Sequence, residues 1–118
     1  INGQRWRPFQ KDTFPTPPFP EYTSGHSAFS MAAAVVLKHV LGSDMFAFRH
    51  TQDIPLAAEP ELAGLPVTIS WTSFSEAAFS AGESRLFGGI HFYQGNVAGL
   101  ELGRKVGELA WTKASSFF

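Results

Sequence analysis

The chain has 118 residues, room for one modest domain and too few for two. Hydrophobic residues make up 44% and charged residues 16%, a globular composition rather than that of a disordered tail or a coiled coil. Nine Lys plus Arg against ten Asp plus Glu leave a formal charge of -1, which argues against nucleic acid as a partner, and the lack of cysteine excludes disulfide scaffolds, thiolate metal sites and thiol catalysis while leaving the compartment open.

In chain order, residues 1–22 read as irregular. Pro8, Pro15, Pro17, Pro18 and Pro20 leave no helix interior, because proline lacks the amide donor and pushes its predecessor to extended backbone. Trp6, Phe9, Phe14, Phe19 and Tyr22 would pin this segment across a larger body. Twelve Phe and three Trp are a heavy aromatic load that needs a deep core. The chain opens on Ile1 rather than Met, so we expect part of a longer protein.

A helix is predicted from about Ser27 to Leu41, with Ser24 or Ser27 as its cap and Gly42 as its stop. Apart from Ser30, Ala28–Leu37 is apolar on every side, and such a helix must be buried all round. Two further helices can hardly cover it. Its most apolar stretch, Met31–Leu37, falls far short of the roughly 18 residues that span a bilayer. Residues 43–70, interrupted by Pro55, Pro60 and Pro66, read as a long connection with a short extended piece at Val67-Thr68-Ile69.

Ser73-Phe74-Ser75-Glu76 fits a capping box, in which Ser73 and Glu76 satisfy each other's free amides. Phe74, Ala77, Ala78, Ala81 and Arg85 then share one face of a helix ending near Leu86, where Gly88-Gly89 breaks it. A last helix is expected over Val97–Thr112 with Asn96 as cap. Gly99, Gly103 and Gly107 give it a smooth stripe for close helix approach, and Glu101/Lys105 and Arg104/Glu108 pair on its wet face. The fold expected is all-α, part of a helical bundle with long Pro-rich loops.

Two constellations carry chemistry. Thr23-Ser24-Gly25-His26-Ser27 opens the first helix, where free amides and a partial positive charge suit an oxyanion. Gly25 allows close approach, Ser24 offers a hydroxyl, and His26 can move a proton near neutral pH. An ordinary capped helix reads the same way. The second is Ser84-Arg85 followed by Leu86-Phe87-Gly88-Gly89-Ile90-His91. Arg85 on an apolar face wants an anion, either a carboxylate or a bound oxyanion, and His91 lies on a loop that can aim at the same point. His39 and His50 have no ligand spacing and read as solvated. Ser24 lacks the setting of a triad nucleophile, since no G-x-S-x-G elbow exists.

The order of these motifs resembles the superfamily of vanadium-dependent haloperoxidases and type 2 phosphatidic acid phosphatases. The matching stretches are Pro17–Ser27, Ser84–Phe92 and, for the soluble haloperoxidase branch, Gly99–Gly107. The resemblance implies a vanadate site, or a phosphate site in a phosphatase. His91 matches the histidine that bonds vanadium in the peroxidases and attacks phosphorus in the phosphatases. His26 matches the acid/base histidine. Arg85, Ser24 and the Gly25 amide match groups on the equatorial oxygens, and Phe19 matches a position that is Phe in the chloroperoxidase branch, a candidate for the halide pocket.

Three departures stand out. Thr23 replaces the usual Pro, and the carboxylate expected four or five residues after the metal-bound histidine falls on Gly95 or Asn96, of which Asn96 can accept a hydrogen bond. The family's first motif, Lys, six residues, then Arg-Pro, is expected outside the chain, because Trp6-Arg7-Pro8-Phe9 resembles the ordinary aromatic lead-in instead. Residues 1–118 are therefore expected to be the C-terminal part of such a domain, completed by an N-terminal part of the same protein or by another chain.

The resemblance implies an enzyme that oxidises halide with hydrogen peroxide and halogenates a small organic acceptor. The alternatives are phosphomonoester hydrolysis through a phosphohistidine at His91, and a non-catalytic remnant. It also inclines toward a secreted or periplasmic setting and leaves homo-oligomerisation open.

Overall fold

A computed structural model describes residues 2–11, 13–14, 16–53 and 64–118. Ile1, Pro15, Pro55 and Pro60 lie outside the described residues. After a 3-10 turn at Gly3–Arg5 come α1 (Gly25–Leu41), β1 (Met45–Asp53), β2 (Pro66–Ser73), α2 (Phe74–Phe87) and α3 (Tyr93–Ser115).

The expectation of an all-α fold is corrected by β1 and β2, which pair antiparallel from Met45↔Ser73 to Asp53↔Pro66, with an irregularity between Met45 and Phe48. The molecule is mixed, three α-helices and one two-stranded sheet among the described residues. Residues 43–70 contain most of this hairpin rather than a bare connection. Its signal was the alternation of Phe46, Phe48 and His50 in one strand and Val67, Ile69 and Trp71 in the other. Both strands are largely exposed, so no apolar face marked them as core. Aromatic stacking supports the pair, with ring centroids 5.2 Å apart for Phe48–Trp71, and Phe46 stacks on Phe74 of α2 at 4.8 Å.

Helix α1 starts earlier than its apolar pattern suggested, because Ser24 accepts from the Ser27 amide and so caps it at Gly25. It ends at Gly42, whose φ of 67° is the left-handed stop that glycine supplies without steric cost. Ser27, Met31, Ala34 and Val35 are its buried residues, one face at helical spacing. The opposite face, expected to be covered, is open within this chain, with Phe29 81% and Leu37 42% exposed.

Helix α3 lies against the buried face of α1 along its glycines. A β-carbon on Gly99 would stand 2.6 Å from the Ser24 carbonyl oxygen, and one on Gly107 2.7 Å from Val35 Cβ. The predicted stripe is the helix contact. Helix α2 begins with Ser73 accepting from the Glu76 amide at 2.9 Å. The Glu76 carboxylate goes one residue further back than a capping box requires, accepting from Thr72 N at 2.6 Å and Thr72 Oγ1 at 2.8 Å. Those bonds hold its pKa below the ordinary glutamate value. The core is small: Met31, Ala34, Val35 and Ala78, with Phe74 and Leu100 packed against it.

The N-terminal aromatics, expected to pin this segment across a larger body, are not sunk into a core of this chain. Trp6, Phe9, Phe14, Phe19 and Tyr22 are all between 47% and 67% exposed. The radius of gyration is 16.9 Å, against about 13 Å for a compact chain of about 100 residues. No helix among the described residues is long and apolar enough to cross a membrane.

Candidate active site

The start of α1 is built around two buried hydroxyls. Ser27 Oγ lies 2.8 Å from Ser24 Oγ and 2.6 Å from Asn96 Oδ1. The amide oxygen only accepts, so Ser27 donates to Asn96, and the same hydroxyl stands within hydrogen-bond distance of Ser24 Oγ. The Ser24 amide donates to the Gly95 carbonyl at 3.0 Å, which fastens the helix start to α3. Ser24 is fully buried. Its hydroxyl therefore serves the cap and the helix contact, and the structure does not turn it toward an open face. Gly25 and His26 follow in the first turn, whose amides have no partner within the helix.

His26 is exposed, yet the chain around it desolvates the ring on one side. That desolvation, then the charge of Arg85, then that of His91, push its pKa below the ordinary histidine value. The neutral imidazole is favoured, the form able to accept a proton.

The second constellation sits where α2 ends. The Arg85 carbonyl accepts from the amides of Ile90 at 3.0 Å and His91 at 3.4 Å, so the chain folds back over the last turn. Gly89 makes this possible with φ 67°, and any β-carbon there would also meet the Trp6 ring. Arg85 is half-buried beside the Phe14 ring, 6.0 Å from its centroid. Its Nε is fully buried without a hydrogen-bond partner among the described residues. A buried donor in that state is expensive unless an acceptor arrives.

His91 is 7% exposed. Its Nδ1 lies 3.3 Å from Glu21 Oε1, the oxygen that also accepts from the Phe92 amide at 2.9 Å. Nε2 is left as the ring nitrogen free for a ligand. The ring lines a pocket of about 460 Å³ with Trp6, Leu86, Gly89 and Ile90. The Phe19 ring neighbours His91, its centroid 6.5 Å from that of the imidazole.

His26, Arg85 and His91 are thus brought within electrostatic reach of one another, while the Ser24 hydroxyl is turned inward. Asn96 is neither the α3 cap nor a partner of His91. It lies inside α3, whose cap position is Phe92, and binds Ser27. His39 is not free in solvent: its Nε2 lies 2.8 Å from Glu108 Oε2 and its ring stacks on Trp111. Glu108 is thereby drawn away from Arg104, which pairs with Glu101.

The residue that sequence reasoning missed is Glu21. Two signals pointed to it, its place inside the matching stretch Pro17–Ser27 and the unfilled carboxylate position at Gly95.

No group of three or more His, Asp or Glu able to hold a metal ion occurs among the described residues, so metal binding by such a cluster has no support here. An oxyanion asks for a different donor set. One free imidazole nitrogen, a guanidinium with an orphaned buried donor and a helix N-terminus fit an anion such as vanadate or phosphate.

The glycine-striped contact of α1 with α3, with His26, Arg85 and His91 near one end, is the arrangement to set beside known proteins. The chain belongs to the family described as the VCPO second helical-bundle domain, which matches residues 1–118, and so to the vanadium-dependent haloperoxidase superfamily. It is similar to a bacterial vanadium-dependent chloroperoxidase of holo type, with a TM-score of 0.78 and 22% identity over 92% of this chain. The apo type gives a TM-score of 0.74 and 22% identity over 87%. These two likenesses bear on the fold alone. A bacterial vanadium-dependent iodoperoxidase is 38% identical over 93% of the chain, with a TM-score of 0.68. The chain spans 23% of the length of each of these structures. No curated protein matches it.

Proposed function

We propose that this chain carries the histidine-bearing part of a vanadium haloperoxidase site, and that the protein containing it oxidises halide with hydrogen peroxide to halogenate a small organic acceptor. The observation that carries the reading is the buried, partnerless Nε of Arg85 next to a His91 whose Nδ1 is already engaged. His91 Nε2 would be the nitrogen ligand of vanadate, and Arg85 with the Gly25 amide would hold its oxygens. Bound vanadate would supply the electrophilic centre that activates peroxide. His26, favoured neutral, takes a proton from the incoming peroxide and returns it later. Phe19 borders the place where halide would enter.

We further infer that residues 1–118 form the C-terminal part of a larger domain whose remainder covers the open face of α1. The exposed Phe29, Leu37, Val40 and Leu41 support this. Expressed alone, residues 1–118 should bind hydrophobic dyes and melt without a sharp transition.

The test uses the full protein loaded with vanadate. Peroxide-dependent halogenation of a phenolic dye is expected. His91→Ala should abolish vanadate binding and turnover, whereas His26→Ala should keep most of the affinity and lose rate by about 100- to 10,000-fold. Phosphomonoester hydrolysis inhibited by vanadate, without halogenation, would replace this reading with the phosphatase one. Absence of both activities and of vanadate binding would leave a non-catalytic remnant.

A further inference from the structure

We propose that Glu21 is the positioning residue of His91: its carboxylate, delivered from the N-terminal segment, occupies the space that a side chain at position 95 would fill and selects the imidazole nitrogen that faces the ligand. Three observations converge. Glu21 Oε1 accepts from the Phe92 amide at 2.9 Å and lies 3.3 Å from His91 Nδ1. One carboxylate oxygen, with two lone pairs, thus holds both the ring and the backbone next to it. A β-carbon built on Gly95 would run into Glu21 Oε1 and lie 2.6 Å from its carboxyl carbon. The glycine is the vacancy and the glutamate is its occupant. Glu21 and Gly95 are therefore alternatives in space, separated by most of the chain.

The consequence for His91 is a choice of tautomer. An ionised carboxylate only accepts, so the ring must present Nδ1–H to it, and Nε2 then keeps its lone pair for a ligand. Without Glu21 either nitrogen can carry the proton, and the ring loses the contact that sets its rotation. A second role follows from the Phe92 bond, because α3 has no side-chain cap of its own. Glu21 places negative charge at that helix start, which is stabilising whatever the function. The test must separate the two roles, and it rests on reading His91 as the anion-binding histidine only in its second measurement.

In the full protein, four forms are compared: wild type, Glu21→Ala, Gly95→Asp and the double variant Glu21→Ala/Gly95→Asp. The first measurement is the His91 tautomer in ligand-free protein, read from imidazole nitrogen NMR shifts. Wild type should show the Nδ1–H form, and Glu21→Ala should lose that preference. The second is the Kd for inorganic vanadate alone, without peroxide or halide. Glu21→Ala should weaken it by about 10- to 100-fold, as loss of a ligand's supporting partner does. Gly95→Asp by itself should be poorly folded or weak binding, since its side chain meets the Glu21 carboxylate. The double variant, with that space vacated, should recover the Nδ1–H tautomer and most of the affinity.

Such reversal of sign is not expected of a mere helix cap. If Glu21→Ala lowers Tm but leaves tautomer and vanadate Kd unchanged, Glu21 is a cap and the proposal falls. It falls equally if the double variant folds and neither measurement recovers. A Glu21-dependent tautomer in a wild-type protein that binds no vanadate would uphold the positioning role and sink the vanadate reading instead.

Discussion

The α1–α3 pair and the β1–β2 hairpin are held together by opposite means. Where α1 meets α3, side chains are removed: Gly99, Gly103 and Gly107 let one backbone rest on the other, and the buried Ser24–Ser27–Asn96 chain locks the crossing. In the hairpin, side chains are added, and the Phe46–Phe48–Trp71 stack sits over strands that are otherwise exposed. The first kind of contact tolerates no extra atoms and fixes position closely. The second tolerates adjustment. The candidate site uses the first kind, because Gly25 and His26 start α1 while His91 and the Glu21 contact sit at the start of α3.

The contrast breaks most readily at Gly103. Gly→Ala in a helix interior ordinarily stabilises by about 1 kcal/mol. Here the β-carbon would meet the Ala28 carbonyl oxygen and stand 2.9 Å from Met31 Cβ. Gly103→Ala should therefore destabilise the full protein by about 1–3 kcal/mol, as overpacking does, measured by denaturant unfolding. An unchanged or raised stability would mean that the helices do not touch there.

Ser27→Ala comes next. It leaves the buried Asn96 oxygen without its donor and the Ser24 hydroxyl without its partner, an expected loss of about 1–3 kcal/mol toward the lower end of that range in the same measurement. In the hairpin, Thr68→Val removes the 2.7 Å hydroxyl contact with Thr51. The expected loss is about 0.2–1 kcal/mol, visible as faster amide exchange within β1 and β2 and unchanged exchange in α1 and α3.

The smallest effect concerns pH. NMR titration of His26 in the full protein should give a midpoint below 6.5. Arg85→Gln should raise it without restoring the ordinary value, because desolvation is the larger cause. The folded state binds this proton less readily than the unfolded state. The His26 contribution therefore leaves stability untouched above pH 6.5 and subtracts from it as pH falls from there through the folded pKa.

Some of this was legible in the residues themselves. Ser73 as cap, Arg85 on the face of Phe74 and Ala78, Gly42 as stop and the glycine stripe all come from patterns within one helix, where neighbours three or four residues apart must share a side. The hairpin was legible only in part. Its alternation was present, but largely exposed strands show no buried face to announce them, and pairing joined residues far apart in sequence, from Met45↔Ser73 to Asp53↔Pro66.

What the sequence by itself determined is the contact faces of the helices, the Ser24 and Ser73 caps and the histidine and arginine motifs, since each is set by short-range geometry that every copy of the pattern repeats. Only the tertiary structure decided the partners. The Ser24 hydroxyl caps α1 and is buried, and α3 brings Asn96 to Ser27 across 69 residues. Glu21 reached His91 across 70. His39 found Glu108 instead of water. Such contacts have no period along the chain. They exist because packing brings polar side chains from distant segments within reach, some buried, as at Ser27 and Asn96, and some exposed, as at His39 and Glu108.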